Sequence, residues 1–178
     1  MGEIPKRETS YMASTAFKGT PVQTTGDFPS VGQAAPEFKL VTSDLSEVSL
    51  ADLKGQKVLL NIFPSVDTGV CALQFKTFSQ QAANIDNLAP VFASLDLPFA
   101  FGRFCGAEGI ENALTGSDFR HHSLAKNYGV QMKDGPLAGL YARSVLILDE
   151  SHKVVYTELV SEITNEPNYE AAMAVLKS

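Results

Sequence analysis

The stretch VLLNIFPSVDTGVC, residues 58–71, combines a strand, a turn and the start of a helix. Residues 58–63 are almost continuously apolar, which is typical of a strand buried on both faces of a sheet. Pro64 stops this run, and a short polar turn leads to Cys71 in the first turn of a predicted helix. The stretch therefore predicts a strand–loop–helix junction that carries a thiol.

From Thr68 onward the apolar residues follow a helical period. One face of the predicted helix carries a mainly apolar set, which consists of Val70, Leu73, Thr77, Phe78, Ala82 and Ile85. Residues 91–97 predict a second buried strand, which begins after Pro90 in the exit loop of the helix. Strand, helix and strand in this order predict a βαβ unit with parallel strands and a right-handed crossover.

The chain before this unit predicts a hairpin and a short extension. Residues 13–26 are typical of two short strands that turn at Lys18 and Gly19. We expect residues 1–12 to be a flexible N-terminal extension. Residues 13–178 are expected to form one domain, because this length suits a single hydrophobic core.

The chain after the unit completes an α/β pattern. Residues 98–128 are predicted to be helical and loop-like, residues 144–148 and 153–160 predict a pair of strands, and Asn165 is predicted to cap a last helix. This order resembles a thioredoxin-like fold, with a mixed central sheet flanked by helices and an added N-terminal β-hairpin. Ligand sites in such sheets lie beyond the carboxyl ends of the strands, where Cys71 is expected.

Composition and charge exclude several classes of function. A content of 44% hydrophobic and 19% charged residues is that of a globular protein. The net charge of −6 argues against a nucleic acid partner, because a phosphate backbone repels an acidic surface. The sequence contains no run of 18 apolar residues and no signal-peptide pattern. We therefore expect a cytoplasmic protein without stable membrane association.

The two cysteines, Cys71 and Cys105, are too few for the disulfide scaffold of a small secreted protein. Neither they nor the three histidines show the spacing of a metal site, and there is no Cys-x-x-Cys. We therefore expect no bound metal and no cofactor.

Cys71 is the candidate nucleophile, since the start of a helix offers unpaired N–H groups and a positive dipole end that stabilise a thiolate. Arg143, just before a predicted strand, is the candidate cation beside it, although it could instead form a solvated ion pair. Thr68 is predicted to cap the helix, to orient an incoming oxygen, or both. Pro64 ends the strand and shields the thiol from water. The alternative for Cys71 is a small buried apolar residue.

These residues carry a resemblance to a known family. Residues 64–71, PSVDTGVC, resemble the peroxidatic loop of the peroxiredoxins, Pro-x-x-x-Thr-x-x-Cys. The thiol peroxidase subfamily is the most similar, on the further segments 96–100, 103–109, 134–143 and 162–167. The likeness runs from about residue 17 to the C-terminus, and the combination of segments is far more specific than any one of them.

The resemblance implies an atypical two-cysteine peroxidase. Cys71 matches the peroxidatic cysteine, Cys105 the resolving cysteine, and Pro64, Thr68 and Arg143 the other active-site positions. The family implies hydrogen peroxide and organic or lipid hydroperoxides as substrates, an intramolecular disulfide between Cys71 and Cys105, thioredoxin as the reductant, and a homodimer.

Three other functions remain open on the sequence alone. A disulfide-exchange protein needs a vicinal thiol pair, which this chain lacks. A redox sensor that passes oxidation to a partner by a mixed disulfide would use the same cysteines. A dimerisation module with inert buried thiols is the third.

Overall fold

The computed structural model describes residues 14–178, and the predicted extension, residues 1–12, lies outside that range. The strands are β1 (Ser14–Phe17), β2 (Thr20–Gln23), β3 (Lys39–Val41), β4 (Glu47–Ser49), β5 (Lys57–Ile62), β6 (Leu88–Ser94), β7 (Leu114–Ser117), β8 (Ser144–Leu148) and β9 (Val154–Leu159). The helices are α1 (Gly69–Ala82), α2 (Pro98–Glu108), α3 (Ser123–Tyr128) and α4 (Tyr169–Lys177), with a 3₁₀ turn at Leu50–Leu53.

Seven strands form one mixed sheet in the order β4-β3-β7-β6-β5-β8-β9. Strand β5 pairs in parallel with β6 and antiparallel with β8, so the predicted βαβ unit and the second hairpin share this sheet. Strands β1 and β2 form a separate antiparallel hairpin. The predicted thioredoxin-like α/β fold with an added N-terminal hairpin is therefore confirmed.

Strand β5 divides the interior into two apolar layers. Val58, Leu60 and Ile62 belong to one buried cluster, whereas Leu59 and Phe63 belong to the other. The side chains of a strand point alternately to the two faces of a sheet, so one apolar run fills both layers. The second layer is the one that contains Cys71.

The predicted start of the second buried strand was wrong. Strand β6 begins at Leu88, and Pro90 lies inside it opposite Leu59 of β5. A proline cannot donate to the ladder, which is why the sequence pattern favoured a loop there. Pairing of β6 with β7 begins only at Val91, so Pro90 lies where the ladder has a neighbour on one side alone.

Strand β7 was missed within the region predicted to be helical and loop-like. It has only four residues and includes Gly116, a residue that weakens strand patterns. The glycine is required by packing, since a Cβ there would lie 2.5 Å from Cδ1 of Leu40. A contact between distant parts of the chain therefore fixes this strand.

The buried face of α1 differs from the predicted face. Leu73 is 45% exposed, and the buried side chains of this helix are Cys71, Gln74, Phe75, Phe78 and Ala82. The apolar pattern treated Gln74 as a surface residue, but hydrogen bonds hold its amide inside. The helix is consequently turned so that Cys71 and Gln74 face the protein interior together.

The last helix is capped by Asn168 rather than by Asn165 as predicted. The Asn168 side chain accepts a hydrogen bond from the Ala171 amide at 3.0 Å, which satisfies one unpaired N–H of the first turn. None of the helices within residues 14–178 has both the length and the apolar character needed to cross a membrane.

Candidate active site

Helix α1 holds Cys71 in its first turn. Thr68 is the N-cap, and its Oγ1 accepts a hydrogen bond from the Cys71 amide at 3.4 Å. The same hydroxyl donates to the Ser65 carbonyl at 3.1 Å, which ties the cap to the preceding loop. The Cys71 side chain is fully buried. The thiol therefore lies at the end of the helix where backbone N–H groups favour negative charge.

Arg143 contacts the sulfur directly. Its Nη1 donates to Sγ of Cys71 at 3.3 Å and to Oε1 of Gln74 at 2.9 Å. Its Nε and Nη2 both donate to the Ile163 carbonyl, at 3.0 and 2.9 Å. Only 2% of Arg143 is exposed, so the alternative of a solvated ion pair is wrong.

The environment of Arg143 favours a negatively charged sulfur. A buried guanidinium is costly unless its charge is balanced and its donors are hydrogen-bonded. Its partners here are the Ile163 carbonyl, the Gln74 amide oxygen and the Cys71 sulfur, and of these only the sulfur can ionise. A thiolate at Cys71 would therefore balance the buried positive charge.

Asp96 anchors the loop that precedes Cys71. This residue lies two positions after the end of β6, and its carboxylate accepts hydrogen bonds from Ser65 Oγ at 2.8 Å and from the Val66 amide at 2.9 Å. Ser94 Oγ also donates to it. The neighbouring strand thus fixes the loop between β5 and α1, which is the loop that positions the thiol.

Gln74 and Asp96 were missed as site residues by the sequence analysis. Gln74 lies three positions after Cys71, and residues at this spacing lie on the same side of a helix. Asp96 lies at the carboxyl edge of the sheet beside the loop, where side chains from neighbouring strands meet. The spacing of Gln74 and the position of Asp96 can both be read from the sequence. Their roles, however, depend on the buried face of α1 and on the end of β6, and neither of these was predicted correctly.

A cavity of about 240 Å³ opens beside Thr68 and Arg143. Its lining consists of Phe17, Pro64, Thr68, Gly69, Val70, Leu137, Arg143, Ile163 and Thr164. Pro64 is buried and forms part of this wall, and the N-terminal hairpin contributes Phe17. Within residues 14–178, no group of three His, Cys, Asp or Glu side chains is arranged to hold a metal ion.

Cys105 lies on α2 as a half-buried free thiol, and Cys71 is also a free thiol. Burial raises the pKa of Cys105, so its thiolate is disfavoured in this conformation. Helix α2 is anchored by Phe101, which is fully buried, and by Phe104, whose ring centroid lies 5.0 Å from that of Phe75. Cys105 and Phe104 pack against the apolar cluster that contains Cys71.

Two ion pairs tie α2 to the segment that carries Cys71. Arg103 on α2 contacts Asp67 in the loop before α1 at 2.6 Å. Glu108 at the end of α2 contacts Lys76 on α1 at 3.0 Å. Cys105 lies between Arg103 and Glu108 in the sequence, so the two pairs bracket its helix.

Residues 30–173 match the protein-family model described as Redoxin. A thiol peroxidase from Corynebacterium glutamicum is 50% identical over 93% of this chain and 99% of that protein. A thiol peroxidase from Leptospira interrogans is 51% identical over 92% of this chain and 96% of that protein. The crystal structure of a peroxiredoxin-like protein from Aquifex aeolicus is 40% identical, with a TM-score of 0.88, over 93% of this chain and 97% of that one.

The Redoxin match covers most of the described chain and agrees with the thioredoxin-like sheet, so it defines the broad class of this protein. The two thiol peroxidases then define the subgroup within that class. The chain belongs to the Redoxin family and, within it, to the thiol peroxidases, which are enzymes of the peroxiredoxin type.

Proposed function

We propose that this protein reduces hydroperoxides at Cys71, resolves the oxidised sulfur with Cys105, and is recycled by thioredoxin. The observation that carries the proposal is the 3.3 Å contact between Arg143 Nη1 and Cys71 Sγ at the start of α1. It supplies the two needs of a thiol peroxidase, a stabilised thiolate and a donor beside the reacting oxygen.

In the first step, the Cys71 thiolate attacks the terminal oxygen of the hydroperoxide. A sulfur–oxygen bond forms, the oxygen–oxygen bond breaks, and its electron pair leaves with the alkoxide, which then takes a proton. Cys71 becomes a sulfenic acid, the first reversible stage of thiol oxidation. Arg143, the Thr68 hydroxyl and the helix N–H groups stabilise the charge that moves to the leaving oxygen.

In the second step, the Cys105 thiol attacks the Cys71 sulfenic acid. A disulfide forms and water leaves, carrying the oxygen that came from the peroxide. Since a disulfide brings its sulfurs to about 2 Å, α2 must rearrange from the position that holds Cys105 as a free thiol. Rearrangement also exposes Cys105 to water, which removes the burial that raises its pKa.

In the third step, a thioredoxin dithiol reopens the disulfide by thiol exchange, so that both cysteines return to the thiol state and thioredoxin leaves as a disulfide. Such a cycle suits the cytoplasm, where disulfides are usually transient and catalytic. A homodimer is the assembly we propose, on the resemblance to the family.

The cavity beside Arg143 supports organic and lipid hydroperoxides as substrates alongside hydrogen peroxide. Phe17, Leu137 and Ile163 give it apolar walls, and its volume of about 240 Å³ leaves room for a substituent on the peroxide. An apolar tail gains free energy when these walls remove it from water.

Peroxide consumption by single-cysteine variants tests the cycle. Cys71→Ser is expected to abolish the reaction, because a serine hydroxyl at neutral pH is not a comparable nucleophile. Cys105→Ser is expected to allow one fast turnover that consumes one equivalent of peroxide, with no recycling by thioredoxin. The wild-type chain with thioredoxin and its reductase is the reference.

Substantial turnover by the Cys71→Ser variant would contradict the assignment of the nucleophile. Normal steady-state turnover by the Cys105→Ser variant would leave Cys71 as the nucleophile and assign the resolving step to another thiol. The rate of peroxide reaction in the wild-type chain separates a peroxidase from a redox sensor, because a dedicated peroxidase must outcompete other cellular thiols.

A further inference from the structure

Asn61 is a buried amide in the middle of an apolar strand. It lies on β5 opposite Phe92 of β6 and Val145 of β8, and it is fully buried. The two-residue period of the strand places it on the same face as Leu59 and Phe63, toward the layer that contains Cys71. Within residues 14–178 its Nδ2 has no hydrogen-bond partner. Packing alone would favour an apolar residue at this position.

Within residues 14–178, the Asn61 side chain is hydrogen-bonded to a residue of the candidate active site. Its Oδ1 accepts a hydrogen bond from Gln74 Nε2 at 3.4 Å. Gln74 in turn accepts from Arg143 Nη1 at 2.9 Å, and the same Nη1 contacts Cys71 Sγ. A continuous chain of contacts therefore runs from Asn61 through Gln74 and Arg143 to the sulfur.

The direction of each amide in this chain follows from the chemistry of arginine. A guanidinium has only donors, so Gln74 must present Oε1 to it. The Gln74 Nε2 then points away from Arg143 and requires an acceptor. Asn61 Oδ1 is that acceptor, and its own Nδ2 is left toward apolar neighbours. The unpaired amide group is thus the consequence of holding Gln74 in one orientation.

Gln74 matters because it controls the part of Arg143 that touches sulfur. The Ile163 carbonyl holds Nε and Nη2, but Nη1 is shared between Gln74 Oε1 and Cys71 Sγ. A Gln74 amide free to rotate would present its NH₂ group to the guanidinium for part of the time and push Nη1 from its place. We propose that Asn61 is a positioning residue for the proposed peroxide reduction, acting on Arg143 through Gln74.

Two substitutions at Asn61 separate positioning from packing. Asn61→Leu removes the acceptor and the unpaired Nδ2 and fills the site with apolar atoms. It is expected to keep or raise Tm, yet to lower kcat/KM for hydrogen peroxide about 10-fold through misplacement of the guanidinium. Asn61→Asp keeps an acceptor oxygen and is expected to lower Tm, while kcat/KM stays within about 2-fold of wild type. A packing role predicts that activity and Tm change together.

A second readout does not depend on peroxide. The rate of alkylation of Cys71 by iodoacetamide, measured against pH in a Cys105→Ser background, reports how well the site stabilises the thiolate. The profile is expected to move to higher pH in Asn61→Leu, and Asn61→Asp is left out of this measurement because its carboxylate would itself oppose a negative charge on Cys71. This measurement tests the positioning inference even if the wild-type chain consumes no peroxide, an outcome that would defeat the proposed function alone.

Thr157→Val is the matched control. Thr157 on β9 has the other buried side-chain atom without a partner in the described chain, and it takes no part in the contacts of Arg143. Its replacement is expected to leave both kcat/KM and the alkylation profile unchanged. The control therefore shows whether removing a buried polar group is by itself enough to slow the reaction.

The double variant tests the route through Gln74. If Asn61 acts only by orienting Gln74, then Gln74→Leu with Asn61→Leu should be no slower than Gln74→Leu alone. Losses that multiply in the double variant would overturn the route. An Asn61→Leu variant with wild-type kcat/KM and an unshifted alkylation profile would overturn the inference as a whole.

Discussion

Thr68 has one role in the fold and a second role in the proposed reaction. Its Oγ1 accepts from the Cys71 amide and donates to the Ser65 carbonyl, so the hydroxyl is the N-cap of α1 in this conformation. It also lines the cavity beside Arg143. The hydroxyl can therefore turn from Ser65 toward a bound peroxide at the loss of one hydrogen bond.

Substitutions at Thr68 should separate capping from catalysis. Thr68→Val removes both roles and is expected to lower stability by about 1 kcal/mol, in addition to slowing peroxide reduction. Thr68→Asn restores a capping oxygen without a hydroxyl, so it should recover the stability but not the rate. Thr68→Ser should retain both. Urea unfolding and peroxide kinetics on the same preparations check this, and full activity of Thr68→Asn would leave Thr68 with capping alone.

At the residue scale, the sequence predicted side chains that lie close to Cys71 along the chain, and it predicted Arg143 from its position before a strand and from the resemblance. It did not single out Gln74 or Asn61, since glutamine and asparagine are mostly surface residues, although Asn61 lies in a run predicted to be buried. The Gln74 amide is held inside by the guanidinium of Arg143, which lies just before β8 and is distant in sequence. Hydrogen-bond partners of this kind can be identified only when the positions of both residues in the fold are known.

At the element scale, the proposed resolving step requires that α2 is held in place and can also be released. The aromatic contacts of Phe101 and Phe104 fix its inner side, and the Arg103–Asp67 and Lys76–Glu108 pairs fix its outer side. The ion pairs are exposed, and exposed pairs contribute only about 0–1 kcal/mol each. They are therefore suited to adjust the position of Cys105 without locking it.

Removing one ion pair should speed the resolving step. Arg103→Gln frees Asp67 and is expected to raise the rate of disulfide formation, after one equivalent of peroxide, by at most about 5-fold. Added salt should speed the wild-type chain toward the variant, since exposed charges are screened. Arg120→Gln, which loses a surface contact to Glu47 on β4 and does not touch α2, is the control. Equal rates in all three chains at low salt would mean that the pairs do not restrain α2.

Helices and strands with a strong local sequence pattern were predicted correctly. Features that depend on a contact with a distant part of the chain were missed. The run of residues 58–63 gave β5 almost to the residue, and the loop after it gave the start of α1. Strand β7 pairs with β6 and β3, and its Gly116 leaves room for Leu40, whereas the face of α1 was misjudged because Gln74 is buried by its hydrogen bonds. No local pattern carries either contact.

At the scale of the whole molecule, one carboxylate ties together an edge of the sheet. Glu47 on β4 contacts Lys39 on β3 at 2.9 Å, and Arg120 and His121 after β7 at 2.9 and 3.0 Å. Hydrogen bonds from His121, Lys39 and Arg120 lower the pKa of Glu47 from 4.5 to about 2. Glu47 therefore keeps its charge in the folded chain at a pH where the unfolded chain has already taken up a proton.

The stability of the fold should fall in acid partly through Glu47. Its pKa is lowered on folding, so its stabilising contribution is complete above about pH 4.5 and is lost as the pH falls through about 2. Hydrogen bonds lower the pKa of Asp44 to about 2 as well, which adds a contribution of the same sign. Tm of the wild-type chain is therefore expected to decrease steadily between pH 5 and pH 2.

The variant Glu47→Gln shows how much of the decrease in Tm is due to Glu47. It should lower Tm at neutral pH, show a shallower dependence between pH 5 and pH 2, and approach the wild-type curve at the acid end, where Glu47 of the folded chain also begins to take up a proton. Glu111→Gln removes an exposed carboxylate outside this cluster and should give a curve parallel to the wild type. Calorimetry across this range measures all three chains. Parallel curves for Glu47→Gln and the wild type would mean that the carboxylate does not couple folding to proton binding, and that Lys39, Arg120 and His121 stabilise it no more than water does.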